Sequence, residues 1–273
     1  MPADDAVLHE PDKTILANDQ SSGHTLKLLS FNIQVAMAST RARHYLTQSW
    51  KHVLPHSQCF DNLGRIAQLL GNYDIVGLQE VDGGSLRSYF VNQVEYLAER
   101  SRFPFWHQQT NRNLGNIAKH SNGLLSKFEP SEVVEYKLPG ALPGRGALLS
   151  RYGHNNNPLV LIMVHLALGK RARQQQLDFI SELVSDYQHV CLMGDFNCTV
   201  HCEEMEALFK KTDLCLPEER HLTFPSWRPA RNIDHILASP SINVQGMKVV
   251  NESLSDHLPI AMEIKLPPDM RLV

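Results

Sequence analysis

The sequence predicts an α+β fold with helices packed outside sheet, on three observations. From Leu26 to Lys265, short apolar runs of strand length alternate with stretches of helical period. Apolar residues make up 42% and charged residues 20%, a balance that excludes disordered, collagenous and coiled-coil chains. No internal repeat, low-complexity linker or composition break interrupts 25–266, so that stretch is expected to be one domain. Residues 1–24 lack periodicity and read as a flexible arm, and 267–273 read as a C-terminal tail.

The elements follow in order. Leu26–Ile33 (LKLLSFNI) reads as a strand. Asp61–Gly71 reads as a helix, with Asp61 or Asn62 as N-cap and Gly71 past its end. Asp74–Glu80 is a strand and Ser88–Arg100 a helix. Leu159–Leu166 (LVLIMVHL) is a continuous apolar run, as in a strand buried on both faces. Arg171–Asp186 sets Leu177, Ile180 and Val184 on one side of a helix. His189–Gly194 is another buried strand and Cys202–Lys211 another helix. Ile233–Leu237, Val244–Val250 and Pro259–Lys265 close the chain as strands. Val35–Phe60 is a long loop carrying Arg41, Arg43, His44, Trp50, His52 and His56. A loop of that length in a compact domain tends to be functional or disordered, and this one, with Arg145, is expected to shape substrate choice.

Charge and cysteine usage narrow the class. The first residues are acidic and polar, so no signal peptide is expected, and no run approaches the ~20 apolar residues of a membrane span. Five cysteines (Cys59, Cys191, Cys198, Cys202, Cys215) form no framework and suit reduced thiols, so a cytoplasmic location is expected. The spacing of Cys198, His201 and Cys202 fits no established four-ligand zinc set. Residues 100–177 hold eleven Lys/Arg against three acids, net +8, which favours an anionic ligand unless acids elsewhere offset it in space. Phe103, Phe105 and Trp106 with Arg100 and Arg102 fit core or rim packing better than base stacking.

Polar residues recur where apolar strands end. Asn32 ends the first strand, Glu80 the second, and His165 lies near the end of LVLIMVHL. Asp195 and Asn197 follow HVCLMG, Asp234 lies in RNIDHIL, and Asp256 and His257 precede the last strand. A buried unpaired charge is costly, so six such places predict one shared polar site at a sheet rim. Glu80, Asp195, Asp256, Asn32 and Asn197 offer oxygen donors, which suit Mg²⁺ or Mn²⁺ rather than zinc. A hard cation, a carboxylate base and histidines make a site for phosphoester hydrolysis.

The ordered set LLSFNIQ, GLQEVD, SNGLLSKF, VHLALG, GDFN, NIDHIL and SDHLPI resembles the endonuclease/exonuclease/phosphatase superfamily over residues 26–265. The resemblance implies a deoxyribonuclease I-like four-layer α/β sandwich, two packed mixed β-sheets flanked by helices, with the site at one rim. By the same resemblance Asn32 orients the site and joins the metal set, Glu80 is the main metal ligand, and Asp256 contributes to it. His165 contacts the scissile phosphate, Asp195 deprotonates the attacking water, and Asn197 holds a phosphate oxygen. Asp234 pairs with His257, which stabilises the charged transition state. Asn122 in SNGLLSKF, Arg145 in PGRGALLS and Arg173 in RARQQQL are expected to bind substrate, as in the uncharacterised bacterial and lipid-phosphodiesterase-like branches. His235 departs from the pattern, standing where the family often has an aromatic residue.

The expected activity is divalent-metal-dependent hydrolysis of a phosphodiester or phosphomonoester by in-line attack of an activated water. The substrate class stays open among nucleic acid, a phosphorylated small molecule and a lipid headgroup, and the sequence says nothing of oligomeric state. A nuclease on DNA or RNA is the alternative, since the +8 region could track a polyanion. The near-neutral total mildly favours a confined phosphate pocket instead. No membrane-inserting amphipathic helix is evident, which weighs against a lipid. A catalytically dead scaffold should have lost site residues, and all eight are present.

Overall fold

The computed structural model describes residues 24–36, 58–141, 143–153, 157–216, 221–267, 270 and 272. Most of the 35–60 loop, with its histidines, arginines and Trp50, lies outside the described residues.

The first half of the chain runs β1 (Thr25–Asn32), α1 (Gln58–Leu70), β2 (Ile75–Asp82), α2 (Gln93–Ser101), β3 (Phe105–Asn113), β4 (Lys119–Ser126), β5 (Glu132–Lys137) and β6 (Gly146–Tyr152). The second half runs β7 (Leu159–His165), α3 (Lys170–Ser185), β8 (His189–Asp195), α4 (Glu203–Lys211), β9 (Asp234–Ala238), β10 (Asn243–Val249) and β11 (Ile260–Lys265). One sheet has the order β10-β11-β1-β2-β4-β3 and the other β5-β6-β7-β8-β9. Both are mixed, with parallel pairs β1–β2 and β7–β8 among antiparallel ones.

The period of two along each strand builds the layers. On β7, Leu159, Leu161 and Met163 turn toward the other sheet, where they meet Leu28, Ile75 and Met262. Val160, Ile162 and Val164 turn outward and pack on Leu177, Ile180 and Val184 of α3 and Leu208 of α4. On β1, Phe31 turns outward with Val76 and Leu78 of β2, and these meet Leu63, Ile66 and Leu70 of α1 and Leu97 of α2. The order helix, sheet, sheet, helix is the four-layer sandwich that the motifs imply.

Two helix starts differ from expectation. The first helix begins at Gln58, so Asp61 stands in its first turn and not at the N-cap. Asn62 is buried, donating from Nδ2 to the carbonyls of Ala36 (3.0 Å) and Leu254 (2.7 Å), so it ties the helix to two loops. The helix expected from Ser88 begins at Gln93, where Asn92 accepts from the backbone N–H groups of Val94 and Glu95.

The stretch before it is a separate turn, organised by buried Asp82. Its carboxylate accepts from the backbone of Gly84 (3.0 Å) and Ser85 (2.7 Å), from the hydroxyls of Ser85 (2.7 Å) and Ser88 (2.8 Å), and from Arg87 Nε. Burial pushes the Asp82 pKa up, but the bonds from Arg87 and Ser85 outweigh it and hold the group below the ordinary aspartate value. That stability is present at neutral pH and lost as pH falls through the depressed pKa. Asp82→Ala leaves Arg87 buried without its partner and is expected to cost about 3 kcal/mol in urea unfolding. A loss under about 1 kcal/mol would show that this turn carries no such weight.

Candidate active site

Three neighbouring strands of the second sheet end in one row. β7 and β8 pair with His165 opposite Asp195, and β8 and β9 pair with Asp195 opposite Asp234. Directly opposed residues share a face, so the ladder itself aligns an imidazole and two carboxylates. Gly194 lets the strands meet there: at φ 150°, a Cβ would lie 2.0 Å from the carbonyl oxygen of Val164.

The first sheet supplies the opposing wall. Asn32 pairs with Gln79 across β1 and β2. Between Leu78 and Val81 the register against β4 shifts, so Gln79 and Glu80 together face Asn122 alone. Glu80 sits in this bulge at φ 54°, a left-handed conformation that a glutamate seldom adopts. Bulges re-aim side chains, and this one turns Glu80 to within 3.7 Å of His165 Nε2. Asp256 and His257 arrive from the turn before β11.

The contacts converge on Asp195, which is 1% exposed. Asn32 Nδ2 donates to its Oδ2 (3.0 Å) and the backbone N–H of Asn197 donates to its Oδ1 (2.9 Å). His165 Nε2 lies 3.6 Å and His257 Nε2 3.9 Å from Oδ2. His257 Nδ1 lies 2.9 Å from Asp234 Oδ2, which also accepts from the Thr223 hydroxyl. Asn197 is held at φ 55° and donates from Nδ2 to the Leu166 carbonyl (2.9 Å), leaving its second amide N–H unbonded among the described residues.

The two histidines differ in charge. Burial alone would lower the His257 pKa, but Asp234, Asp195 and Asp256 outweigh it and raise it to about 10, so it is an imidazolium at neutral pH. Burial pushes His165 well below the ordinary histidine value, and Arg145, His257 and His120 push the same way. His165 is neutral although two carboxylates stand near it, because burial and the neighbouring positive charges prevail. Burial lifts Asp195 to about 7 against the pull of His257, with Asp234 adding to the rise. Burial lifts Asp256 to about 6, and the Glu80 carboxylate adds to that rise.

Two carboxylate sets could hold a cation. Donor atoms of Asp195, Asp234 and His257 lie within 4.8 Å of one another, but Asp234 and His257 already bond to each other. Glu80 and Asp256 fit better. The Glu80 charge reaches Asp256, and the Glu80 carboxylate makes no hydrogen bond among the described residues. Two hard oxygen donors in mutual repulsion suit a divalent cation such as Mg²⁺ or Mn²⁺.

Not every expected residue reaches the centre as expected. Asn32 spends its amide on Asp195, and its Oδ1 accepts from the Gln34 backbone (3.1 Å), so it orients Asp195 and is not a free oxygen donor. Arg173 is bound to Glu204 (2.9 Å) and to the Ala167 (3.2 Å) and Leu168 carbonyls, where it braces the loop after His165 instead of facing substrate. Asn122 is buried opposite the Glu80 bulge and donates to Gln109 Oε1 (3.3 Å) and the Gly146 carbonyl (3.4 Å). Arg145 does face the site, within the field of Glu80 and Asp195, and makes no ion pair among the described residues. His235 is buried, bonded to the Cys198 carbonyl (2.9 Å) and edge-on to Phe196, and so holds the loop of Asn197. Cys198 and Cys202 are both free thiols.

Two residues at the site have no counterpart in the sequence reading. Thr223, which buttresses Asp234, comes from the loop that precedes β9 and has no local signal. His120 stands immediately before SNGLLSKF and lies within the field of both Glu80 and His165.

The two-sheet sandwich with an acid- and histidine-lined rim defines a phosphoesterase-type architecture. The profile of the endonuclease/exonuclease/phosphatase family matches residues 29–257, and the chain belongs to that family. No curated protein matches the chain. Among solved structures it is similar to an endonuclease/exonuclease/phosphatase family protein from Bacteroides thetaiotaomicron, at TM-score 0.68 and 19% identity over 90% of this chain and 99% of that one. It is also similar to the mannosyl-6-phosphatase of the same organism, at TM-score 0.66 and 18% identity over 88% and 99%. A third likeness is D. rerio TDP2 complexed with single-strand DNA product, at TM-score 0.64 and 17% identity over 88% and 99%. These likenesses share the fold.

Proposed function

We propose that the chain is a divalent-metal-dependent phosphoesterase, hydrolysing a phosphomonoester or small phosphodiester by in-line attack of water. The observation that carries this is the row His165–Asp195–Asp234, closed by His257 and facing Glu80. Glu80 and Asp256 would hold the cation. When bound, it supplies Lewis acidity to the phosphoryl oxygens and draws the Asp195 pKa down.

The chain's own residues do the rest. Asp195, fixed by Asn32 and Asn197, accepts the proton of the attacking water. The water oxygen bonds to phosphorus as the opposite ester bond breaks. His257, charged by Asp234, faces the equatorial oxygen that gains negative charge, and the free amide N–H of Asn197 donates to another. Neutral His165 offers its Nε2–H to the same group, and Arg145 grips the phosphate from the basic side.

One observation favours a compact ester over a nucleic acid track. Lys127, Arg151, Lys170 and Arg173, four of the eleven bases in 100–177, are already paired with Asp74, Glu132, Glu203 and Glu204. Of the seven bases left, Arg145 lies within the field of Glu80 and Asp195, and the pairing of the other four shortens any basic track for a polyanion.

Glu80→Gln tests the reading. The variant should fold as wild type, because Glu80 holds nothing together, and should need at least about tenfold more Mg²⁺ for half-maximal turnover of bis-p-nitrophenyl phosphate. An unchanged Mg²⁺ dependence would move the cation away from Glu80.

A further inference from the structure

The rim beyond Glu80 displays an apolar surface that hydrolysis does not use. Among the described residues eight large apolar side chains are exposed, and five of them lie on two adjoining loop tips. The β2–α2 connection shows Leu86, Tyr89 and Phe90 at 39%, 47% and 61% exposure, and the β3–β4 turn shows Leu114 and Ile117 at 43% and 52%. The tips are joined: the backbone N–H of Leu86 donates to Asn116 (2.7 Å) and that of Gly83 to Lys119 (3.0 Å).

The display is built, not incidental. Turn positions ordinarily carry polar residues and glycine. Here Tyr89 and Phe90 stand in succession at φ 55° and 62°, a left-handed conformation costly for aromatic residues. Such strain persists only where the surroundings over-determine it, and the Asp82 network does so. Tyr89 rests against Phe60, at 5.7 Å between ring centroids, while Phe90 stands free.

Charge identifies the occupant. Neither 83–92 nor 111–120 contains an Asp or Glu. Arg112 and Lys119 flank the turn and make no ion pair among the described residues, while Arg87 is buried on Asp82. Aromatic and aliphatic tips flanked by unpaired bases match a membrane interface, where rings enter the acyl boundary and bases meet anionic headgroups. We infer that this paired tip docks the protein on a lipid surface carrying anionic headgroups. The loop begins three residues after Glu80, so docking would bring the site's mouth to that surface. The absence of an amphipathic helix is then no obstacle, because loop tips do its work.

Co-sedimentation with vesicles tests this. Wild type should pellet with phosphatidylcholine vesicles containing phosphatidylserine and less with phosphatidylcholine alone. F90S/I117S should weaken partitioning by about tenfold or more, from the apolar area withdrawn. R112Q/K119Q should weaken it about fivefold per base and remove the phosphatidylserine preference. Both variants should keep wild-type thermal unfolding and wild-type turnover of bis-p-nitrophenyl phosphate. Glu80→Gln should pellet like wild type, so docking and catalysis are tested separately. Failure of wild type to pellet, or pelleting of F90S/I117S like wild type, overturns the inference. A dimer of wild type that F90S/I117S dissolves, without vesicle binding, overturns it in favour of a second copy.

Discussion

Asp195→Asn is expected to lower the turnover of a phosphoester by 10²- to 10⁴-fold, the range for loss of a positioned general base. The amide keeps the size of the carboxylate but cannot take a proton from water. Stability should not fall with it. Burial raises the Asp195 pKa to about 7 in the folded chain, above its unfolded value of about 3.9. The folded state therefore binds the extra proton between those values, and stability declines as pH rises through them. At neutral pH the buried carboxylate is a net cost of folding, which the neutral amide relieves. Against this, the amide must set its NH₂ against one of two donors, Asn32 Nδ2 or the Asn197 N–H, a loss of about 1–3 kcal/mol. The two effects oppose each other, so a large fall in kcat with a small change in urea midpoint is the signature of a catalytic group. A fall in kcat below tenfold would remove Asp195 from the role of base.

The ends of strands made much of this site readable beforehand. His165 and Asp195 each end a run of apolar residues that reads as buried strand, and Asp234 opens another, so each had to lie at a sheet end. What the sequence does not carry is that the three ends are neighbours. That follows from pairing β7 to β8 in parallel and β8 to β9 antiparallel, which long connections hide. The bulge at Glu80 is hidden for the same reason: GLQEVD has no glycine at the left-handed position, and the extra residue shows only against β4.

The strands β3 to β6 escaped because their residues do not alternate cleanly. HQQTNRN in β3 is polar on both faces, since it is an edge strand whose exposed side meets water. EVVEYK in β5 is only half-buried at the other sheet's edge. β6 is buried, but GALLSRY is short and follows a Pro/Gly-rich stretch that reads as loop. The role expected of Arg173 shifted for an electrostatic reason. A base after a strand-end motif suits an anion, yet Glu204 from the next helix reaches it first. Arg145 has no such rival and stays available.

The Asp234–His257 pair carries the last expectation, a displaced pH profile. Asp234, Asp195 and Asp256 all face His257, and together they overcome burial and raise its pKa to about 10. His257 also lies within the field of His165, which is neutral and opposes little. In wild type the imidazolium persists through neutral pH, and turnover should fall only when His257 loses its proton on the alkaline side. Asp234→Asn removes the nearest carboxylate while the amide oxygen can still accept from Nδ1–H and hold the ring. Burial then weighs more heavily, the His257 pKa drops, and the alkaline limb of kcat should move to lower pH. The acid limb, set by Asp195, should also move to lower pH, because the Asp234 charge that adds to the Asp195 rise is gone. His257→Ala should instead lower kcat by 10²- to 10³-fold across the profile, as loss of a transition-state donor does. The comparison separates charge from position: a purely structural Asp234 would lower kcat at every pH without displacing either limb. An alkaline limb at the wild-type pH in Asp234→Asn would break the pair as the source of the imidazolium. It would leave the assignment of Glu80 and Asp256 to the cation untouched, because neither bonds to Asp234.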